Sequence, residues 1–167
     1  MKTASRSSHP VLTQTENNTT LWIGHHPAEK TEHFGGQTFT CPSDGLLDSI
    51  QVFSSAVTRP GEVSLTLHEF DPVNHTWGPS LAESRVQMDT SDASRWIRFE
   101  MEPAAVQQNR SYGFRLFCND SLIGLGEAAA EAQKPFVFGQ AWNADTNNQQ
   151  GNFFNYFSLA FKVELCA

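Results

Sequence analysis

Short apolar runs alternate with turn residues along most of the chain, and the last run shows this most clearly. Between residues 157 and 165 every second position is apolar, namely Phe157, Leu159, Phe161, Val163 and Leu165. Strict alternation of this kind is typical of a β-strand with one buried and one solvated face. We therefore predict a strand over residues 156–165.

Two other segments have the same period. Residues 95–101 place Ile97, Phe99 and Met101 on the inward face, so that the outward side chains are Trp96, Arg98 and Glu100. Residues 111–118 place Arg115 and Phe117 outward, and the inward set consists of Tyr112, Phe114, Leu116 and Cys118. Each segment is predicted to bury one face.

The complete pattern predicts an all-β domain. Candidate strands cover residues 20–24, 36–41, 46–54, 62–70, 81–89, 95–101, 111–118, 122–126, 135–141 and 156–165. Residues 27–33 and 126–133 each favour a short helical turn. We predict a two-sheet antiparallel jelly-roll sandwich over residues 19–167, preceded by a polar N-terminal tail or arm over residues 1–18.

The amino-acid composition indicates one class of protein and argues against two others. Only 17% of the residues are charged, and 13 Phe dominate the aromatic residues. Such a composition, filled out with Ser, Thr, Asn and Gln, resembles an extracellular-type domain, although no signal peptide is visible and the localisation stays open. The net charge of −7 without a Lys/Arg cluster argues against nucleic-acid binding, and no apolar run predicts a membrane span.

The three cysteines, Cys41, Cys118 and Cys166, form neither a zinc pattern nor a disulfide framework. We expect buried free thiols at strand ends. A single Cys41–Cys166 bridge is the alternative.

Several segments resemble the jelly-roll accessory modules of large secreted bacterial proteins, of the carbohydrate-binding-module and choice-of-anchor type. The matching pieces lie between residues 36 and 165 and include Gln37-Thr38-Phe39-Thr40, Trp96-Ile97-Arg98-Phe99 and Ser111-Tyr112-Gly113-Phe114-Arg115-Leu116. This resemblance implies a bacterial β-sandwich with a non-catalytic binding or spacer role. It implies no particular ligand.

The first candidate site is the outward face of the middle strands. Trp96 can stack on a sugar ring while Arg98 and Glu100 bond its hydroxyl groups. His68 and Arg115, also predicted outward, are candidates to join them. The alternative is that Trp96 is covered by a loop and that Arg98 and Glu100 form an ordinary surface ion pair.

The second candidate site is the polar loop after Trp142. Asn143 and Asp145 lie between Trp142 and a pair of phenylalanines, and amides bracketed by aromatic rings suit sugar binding. Asn143, Asp145 and Asn147 alternate as in a calcium loop, but no glutamate follows at the spacing that calcium requires. A solvated loop anchored by its aromatic side chains is the alternative.

Metal binding and catalysis have weaker support. His26, Glu29 and His33 could share a helical stripe, but the segment lacks a zinc-protease motif and is expected to be a solvated connector. No nucleophile elbow or phosphate loop is present, and pairs of carboxylates are expected in a chain with 18 acidic residues. We predict no enzyme activity, no cofactor and no bound metal.

Three hypotheses follow. The first is a non-catalytic binding module, with carbohydrate as its partner. The second is a structural spacer whose N-terminal arm pairs with a neighbouring subunit. The third, a glycoside-acting enzyme, requires a carboxylate pair held across a cleft.

Overall fold

The computed structural model describes residues 7–26, 28 and 30–167. These residues form an all-β fold in which every strand pair is antiparallel. The strands are β1 (Ser8–Gln14), β2 (Thr19–His25), β3 (Glu32–Thr40), β4 (Gly45–Arg59), β5 (Gly61–Asp71), β6 (Thr76–Met88), β7 (Arg95–Val106), β8 (Ser111–Phe117), β9 (Leu122–Ala129), β10 (Ala141–Asp145), β11 (Asn148–Phe154), β12 (Phe157–Leu159) and β13 (Phe161–Cys166).

The strands follow the hydrogen-bonded order β1-β13-β4-β9-β2-β3-β8-β5-β6. Strand β7 pairs with β4, strand β10 pairs with β3 and β11, and strand β12 pairs with β9. The long strand β4 pairs with three neighbours because its first half lies between β7 and β13 and its second half lies beside β9. The predicted antiparallel all-β class is confirmed.

The alternating segments bury the predicted faces. In β7, Ile97, Phe99 and Met101 are buried, and Arg98 and Glu100 are exposed. In β8, all four predicted inward side chains are buried. They join a core whose largest members include Phe39, Phe99, Phe114 and Phe161, and burial of such side chains contributes roughly 1.5–3 kcal/mol each.

Residues 156–165 form two strands instead of one, because the chain changes partners at Ala160. Strand β12 pairs with β9, and strand β13 pairs with β4. Between them, the Ala160 amide donates to Gly126 and its carbonyl accepts from Phe53. Leu159, Ala160 and Phe161 are consequently all buried.

Two further element predictions are wrong. The helical turn over residues 126–133 is absent because residues up to Ala129 continue strand β9, held between β2 and β12. The strand over residues 135–141 is absent because residues 138–140 run beside β3 without a regular ladder. There Gly139 lies so close to the Thr38 carbonyl that any Cβ would clash with it.

The helical turn over residues 27–33 includes Pro27 and Glu29, which lie outside the described residues. The described helical content is a single 3-10 turn at Thr90–Asp92, capped by the Asp89 side chain. No helix in the described part of the chain is long and apolar enough to span a membrane.

Part of the predicted N-terminal tail is an ordered edge strand. Ser8–Gln14 form β1, which pairs with β13 of the same chain, and Leu12 is buried in the core. The division of the chain at residue 18 and the pairing of an N-terminal arm with a neighbouring subunit stay predictions, and residues 1–6 lie outside the described residues.

All three cysteines are free, so the alternative Cys41–Cys166 bridge is wrong. Cys41 and Cys118 are buried, as expected for structural thiols. Burial raises the pKa of the Cys118 thiol to about 11 and also raises the pKa of Cys41. Both thiols are consequently poor nucleophiles near neutral pH.

Candidate functional site

The predicted face of β7 carries a network in which the charged groups pair with one another. The Arg98 guanidinium lies 2.7 Å from the Asp48 carboxylate and 3.5 Å from that of Glu164. Asp48 is fully buried, at the point where the β4–β7 register shifts. Glu164 also accepts hydrogen bonds from Ser49 and Gln51. We call these five residues the Arg98 network.

Trp96 lies beside this network and is half-buried by neighbouring side chains. Its ring packs edge-on against Phe53, with centroids 5.4 Å apart. The Lys162 ammonium lies 4.2 Å from the ring centroid, a cation–π distance. Both the indole and the guanidinium of this face therefore have partners within the chain.

The sequence offered His68 and Arg115 as candidates to join Trp96, but the structure does not bring them to it. They lie instead in a separate cluster with Trp77 and Trp142. The Arg115 guanidinium lies 4.9 Å from the Trp77 ring and 5.9 Å from the Trp142 ring. Gly36 separates Arg115 from Trp142 in the sheet, and this side-chain-free position leaves room for both. His68 is 5% exposed, so its predicted place on a solvated outward face is wrong, and Trp142 is 1% exposed, as in the alternative of a polar loop anchored by its aromatic side chains.

The hydrogen bonds of His68 fix its protonation. The Arg115 guanidinium can only donate, so the His68 Nε2 atom, 3.3 Å away, accepts. The Nδ1 atom then carries the proton and donates to the Gly78 carbonyl, 3.1 Å away. Burial, with a smaller contribution from Arg115, lowers the pKa of His68. The cluster is thus a packed interior unit with a neutral histidine.

An open polar groove lies where strands β2, β3, β10 and β11 come together. Gly24 pairs with His33, His33 pairs with Asp145, and Asp145 pairs with Asn148. The groove has a volume of about 270 Å³. We call it the amide groove, and its polar and aromatic lining includes Trp22, His33, Asn143, Asp145, Asn148 and Asn152.

Trp22 supplies an exposed aromatic surface to this groove. Its side chain is 42% exposed, in contrast to the buried Trp142. Trp22 pairs with Gly124 on β9, and a Cβ at Gly124 would lie 3.2 Å from its ring. The glycine therefore allows the indole to lie close against the neighbouring strand.

The amides of the groove differ in how far the protein itself uses them. The Asp145 Oδ1 atom accepts from the backbone amides of Asn147 and Asn148, and thereby closes the β10–β11 turn. The Asn148 Oδ1 atom accepts from Gly151. Within the described residues, the side-chain amides of Asn143 and Asn152 have no hydrogen-bond partner. Each offers two donors and one acceptor to a ligand.

A second groove begins at the same indole. Its volume is about 510 Å³, and its lining among the described residues includes Trp22, His26, His33, Thr58 and Leu122. Trp22 and His33 therefore line both grooves. We call this second cavity the Leu122 groove.

The described residues contain no group of three or more His, Cys, Asp and Glu side chains placed to hold a metal ion. His25 instead pairs with Glu32, at 3.0 Å between Nδ1 and Oε1. The considered set of His26, Glu29 and His33 includes Glu29, which lies outside the described part.

The structure thus divides the eight predicted site residues into three places. Trp96, Arg98 and Glu100 lie on the β7 face, and His68, Arg115 and Trp142 lie in the packed cluster. Asn143 and Asp145 line the amide groove. Sequence reasoning missed Trp22, because the pairing with Gly124 that lets its ring lie across the sheet is not visible in the sequence pattern.

Neither a protein-family model nor a curated protein matches the chain. Solved structures of the clostridial protein Cwp84 do match. One holds the cysteine protease and lectin-like domains of Cwp84, a surface-layer-associated protein of Clostridium difficile, and matches with a TM-score of 0.51 and 12% identity over 81% of this chain and 32% of that chain. Another, Cwp84 after propeptide cleavage, matches with a TM-score of 0.59 and 10% identity over 96% and 40%.

At these identities the likeness shows a shared all-β fold alone. The chain spans less than half the length of either Cwp84 chain.

Proposed function

We propose that the protein is a non-catalytic binding module for carbohydrate and that the amide groove is its binding site. The observation that carries this proposal is an exposed indole, Trp22, beside the unpartnered amides of Asn143 and Asn152. The predicted site around Trp96 lacks this combination, because its charged groups pair within the chain.

The chemistry of a sugar suits this combination of groups. A pyranose has an apolar face of C–H groups, which can stack on an indole, and a rim of hydroxyl groups. An asparagine amide can donate to one hydroxyl oxygen and accept from a neighbouring hydroxyl group. Trp22 would hold the ring face, and Asn143 and Asn152 would bind the rim.

The charge of the groove and of the whole chain indicates whether the sugar is neutral or acidic. The described lining of the amide groove contains the carboxylate of Asp145 and no lysine or arginine. The chain as a whole carries a net charge of −7. Both facts favour a neutral sugar over an acidic one, because a sugar carboxylate or sulfate would find no cation in the groove.

The fold likeness supports the same class of function. One similar chain includes a lectin-like domain of a surface-layer-associated protein. The finer jelly-roll arrangement, a bacterial origin and the absence of enzyme activity stay predictions within this proposal.

A neutral-glycan array probed with the wild-type chain tests the proposal. We expect binding to one group of neutral glycans, and we expect Trp22→Ala to lose it. Trp96→Ala is the matched control, because it removes an indole of the Arg98 face and should retain the array signal. Loss of binding in Trp96→Ala with retention in Trp22→Ala would contradict the assigned site, and a blank array for the folded wild type would contradict the function.

A further inference from the structure

The Leu122 groove adjoins the amide groove, and the two have different chemistry. Trp22 and His33 line both, so that a ligand stacked on the indole reaches into each. The Leu122 groove is the larger, with about 510 Å³ against about 270 Å³. A ligand that filled only the amide groove would leave the greater volume to water.

The side chains of the Leu122 groove are poorly suited to a second sugar unit. Besides the indole, its lining contains the Leu122 side chain and Thr58, with no asparagine, glutamine, carboxylate, lysine or arginine among the described lining residues. Its histidines are partly engaged within the chain, since the His26 Nδ1 atom accepts from the Ala28 amide and the His33 Nε2 atom lies 3.4 Å from the Thr31 hydroxyl.

The free energy of removing water from a ligand group determines which kind of group the Leu122 groove favours. Each sugar hydroxyl that loses water without a new hydrogen bond costs roughly 1–3 kcal/mol. A sugar carries several hydroxyls, whereas an alkyl, aryl or acyl group carries none and gains free energy from leaving water. The Leu122 groove therefore favours an apolar group over a second sugar.

We infer that the ligand is a sugar bearing an apolar substituent, with the sugar in the amide groove and the substituent in the Leu122 groove. This inference rests on the proposed function, since it assigns the sugar to the same site. It adds the substituent, which an unsubstituted glycan lacks.

Paired methyl and octyl glycosides of glucose, galactose and mannose test the inference by isothermal titration calorimetry, below the micelle concentration of the octyl compounds. For the sugar that binds, we expect the octyl glycoside to bind roughly tenfold more tightly than its methyl partner, which corresponds to burial of about two methylene groups. Trp22→Ala should weaken both members of the pair.

Variants with an added charge locate the substituent. Thr58 is exposed on β4, so Thr58→Asp should fold normally while placing a carboxylate in the Leu122 groove. We expect it to remove most of the octyl gain and to leave methyl glycoside affinity unchanged. Thr13→Asp, at an exposed position of the edge strand β1, is the matched control and should retain the gain.

The outcomes separate the two proposals. Equal affinity for the methyl and octyl members of a bound pair overturns the inference and leaves the proposed function intact. A full octyl gain in Thr58→Asp places the alkyl chain elsewhere and also overturns it. If no glycoside pair binds, the inference falls, and the array of unsubstituted glycans decides the proposed function separately.

Discussion

The Arg98 network and the amide groove are both polar surfaces, but they differ in what their polar groups contact. In the network, one guanidinium pairs with Asp48 and Glu164, and Ser49 and Gln51 complete the hydrogen bonds of Glu164. In the groove, the side-chain amides of Asn143 and Asn152 have no hydrogen-bond partner within the described part of the chain, and they lie beside an indole that is 42% exposed. The polar side chains of the Arg98 network are therefore used within the protein, whereas the two amides of the groove are available to a ligand.

The difference identifies which surface is available to a ligand. A ligand at the Arg98 network would have to replace existing charge-assisted hydrogen bonds, which are stronger than neutral ones. A ligand that binds the Asn143 and Asn152 amides would break no hydrogen bond among the described residues. We therefore expect substitutions in the Arg98 network to change stability and substitutions in the amide groove to change binding.

The largest effect is expected for Arg98→Ala. Asp48 is fully buried whereas Arg98 is 39% exposed, so removing the guanidinium should lower the free energy of unfolding by about 2–3 kcal/mol, less than for a pair buried on both sides. Urea denaturation measures this. Glu100→Ala is the control, because Glu100 is largely exposed and 3.9 Å from Arg98, and it should cost less than about 1 kcal/mol. Equal effects would contradict the role assigned to the contact between Arg98 and the buried Asp48.

Glu127 represents a third situation, a buried carboxyl group to which no described group donates a hydrogen bond. It is 7% exposed on β9, and burial raises its pKa from 4.5 to about 7. The folded state therefore binds more protons than the unfolded state between these pH values. Its contribution to stability is present below the unfolded pKa and is lost as the pH rises through the folded pKa.

Glu127→Gln should remove this pH dependence. At pH 8 we expect the variant to be more stable than the wild type by up to about 3 kcal/mol, and at pH 4 the two should be similar. Denaturation curves across this range measure the difference. Glu131→Gln, at an exposed position, should leave the wild-type dependence unchanged. A wild type with constant stability from pH 4 to 8 would refute the buried carboxyl.

Trp96→Ala should affect stability and spare binding. It removes the edge contact with Phe53 and the cation–π contact with Lys162, which together should cost about 1–2 kcal/mol. Thermal unfolding gives the stability, and calorimetry with a glycan from the array gives the affinity. A weakened affinity at unchanged stability would reverse the assignment of the two regions.

The smallest effect is expected for Asn143→Ala. Loss of one amide in the groove should weaken glycan binding by about 0.5–1.5 kcal/mol, or several-fold, and leave unfolding unchanged. Asn147→Ala removes an exposed amide of the adjacent turn and is the matched control. If both variants bind as the wild type does, Asn143 is not a contact residue.

Alternation of apolar and polar residues correctly predicted the strands that have one buried face and one face in solvent. Phe99 is buried between the exposed Arg98 and Glu100, as the alternation indicated. The alanines at the end of β9 were predicted to form a helical turn because alanine favours helices. They are strand residues instead, because β9 pairs with β2 and β12. Long-range pairing of this kind is not encoded in local propensity.

Only part of the amide groove was predicted, because the rest of it also depends on long-range strand pairing. Asn143 and Asp145 were recognisable as amide and carboxylate groups in a polar loop, and they line the groove. Trp22 was not recognised, because its exposure depends on its pairing with Gly124 and on the position of β10. Trp142 stood out in the sequence but is buried, with its indole donating to the Gln150 carbonyl 3.0 Å away.

The most direct test follows the indole N–H signals of the four tryptophans by NMR while a glycan found on the array is added to the wild-type chain. Trp22→Ala and Trp96→Ala assign two of these signals. The account predicts a large, saturable shift of the Trp22 signal and an unchanged Trp96 signal. A shift of the Trp96 signal with the Trp22 signal unchanged would contradict it.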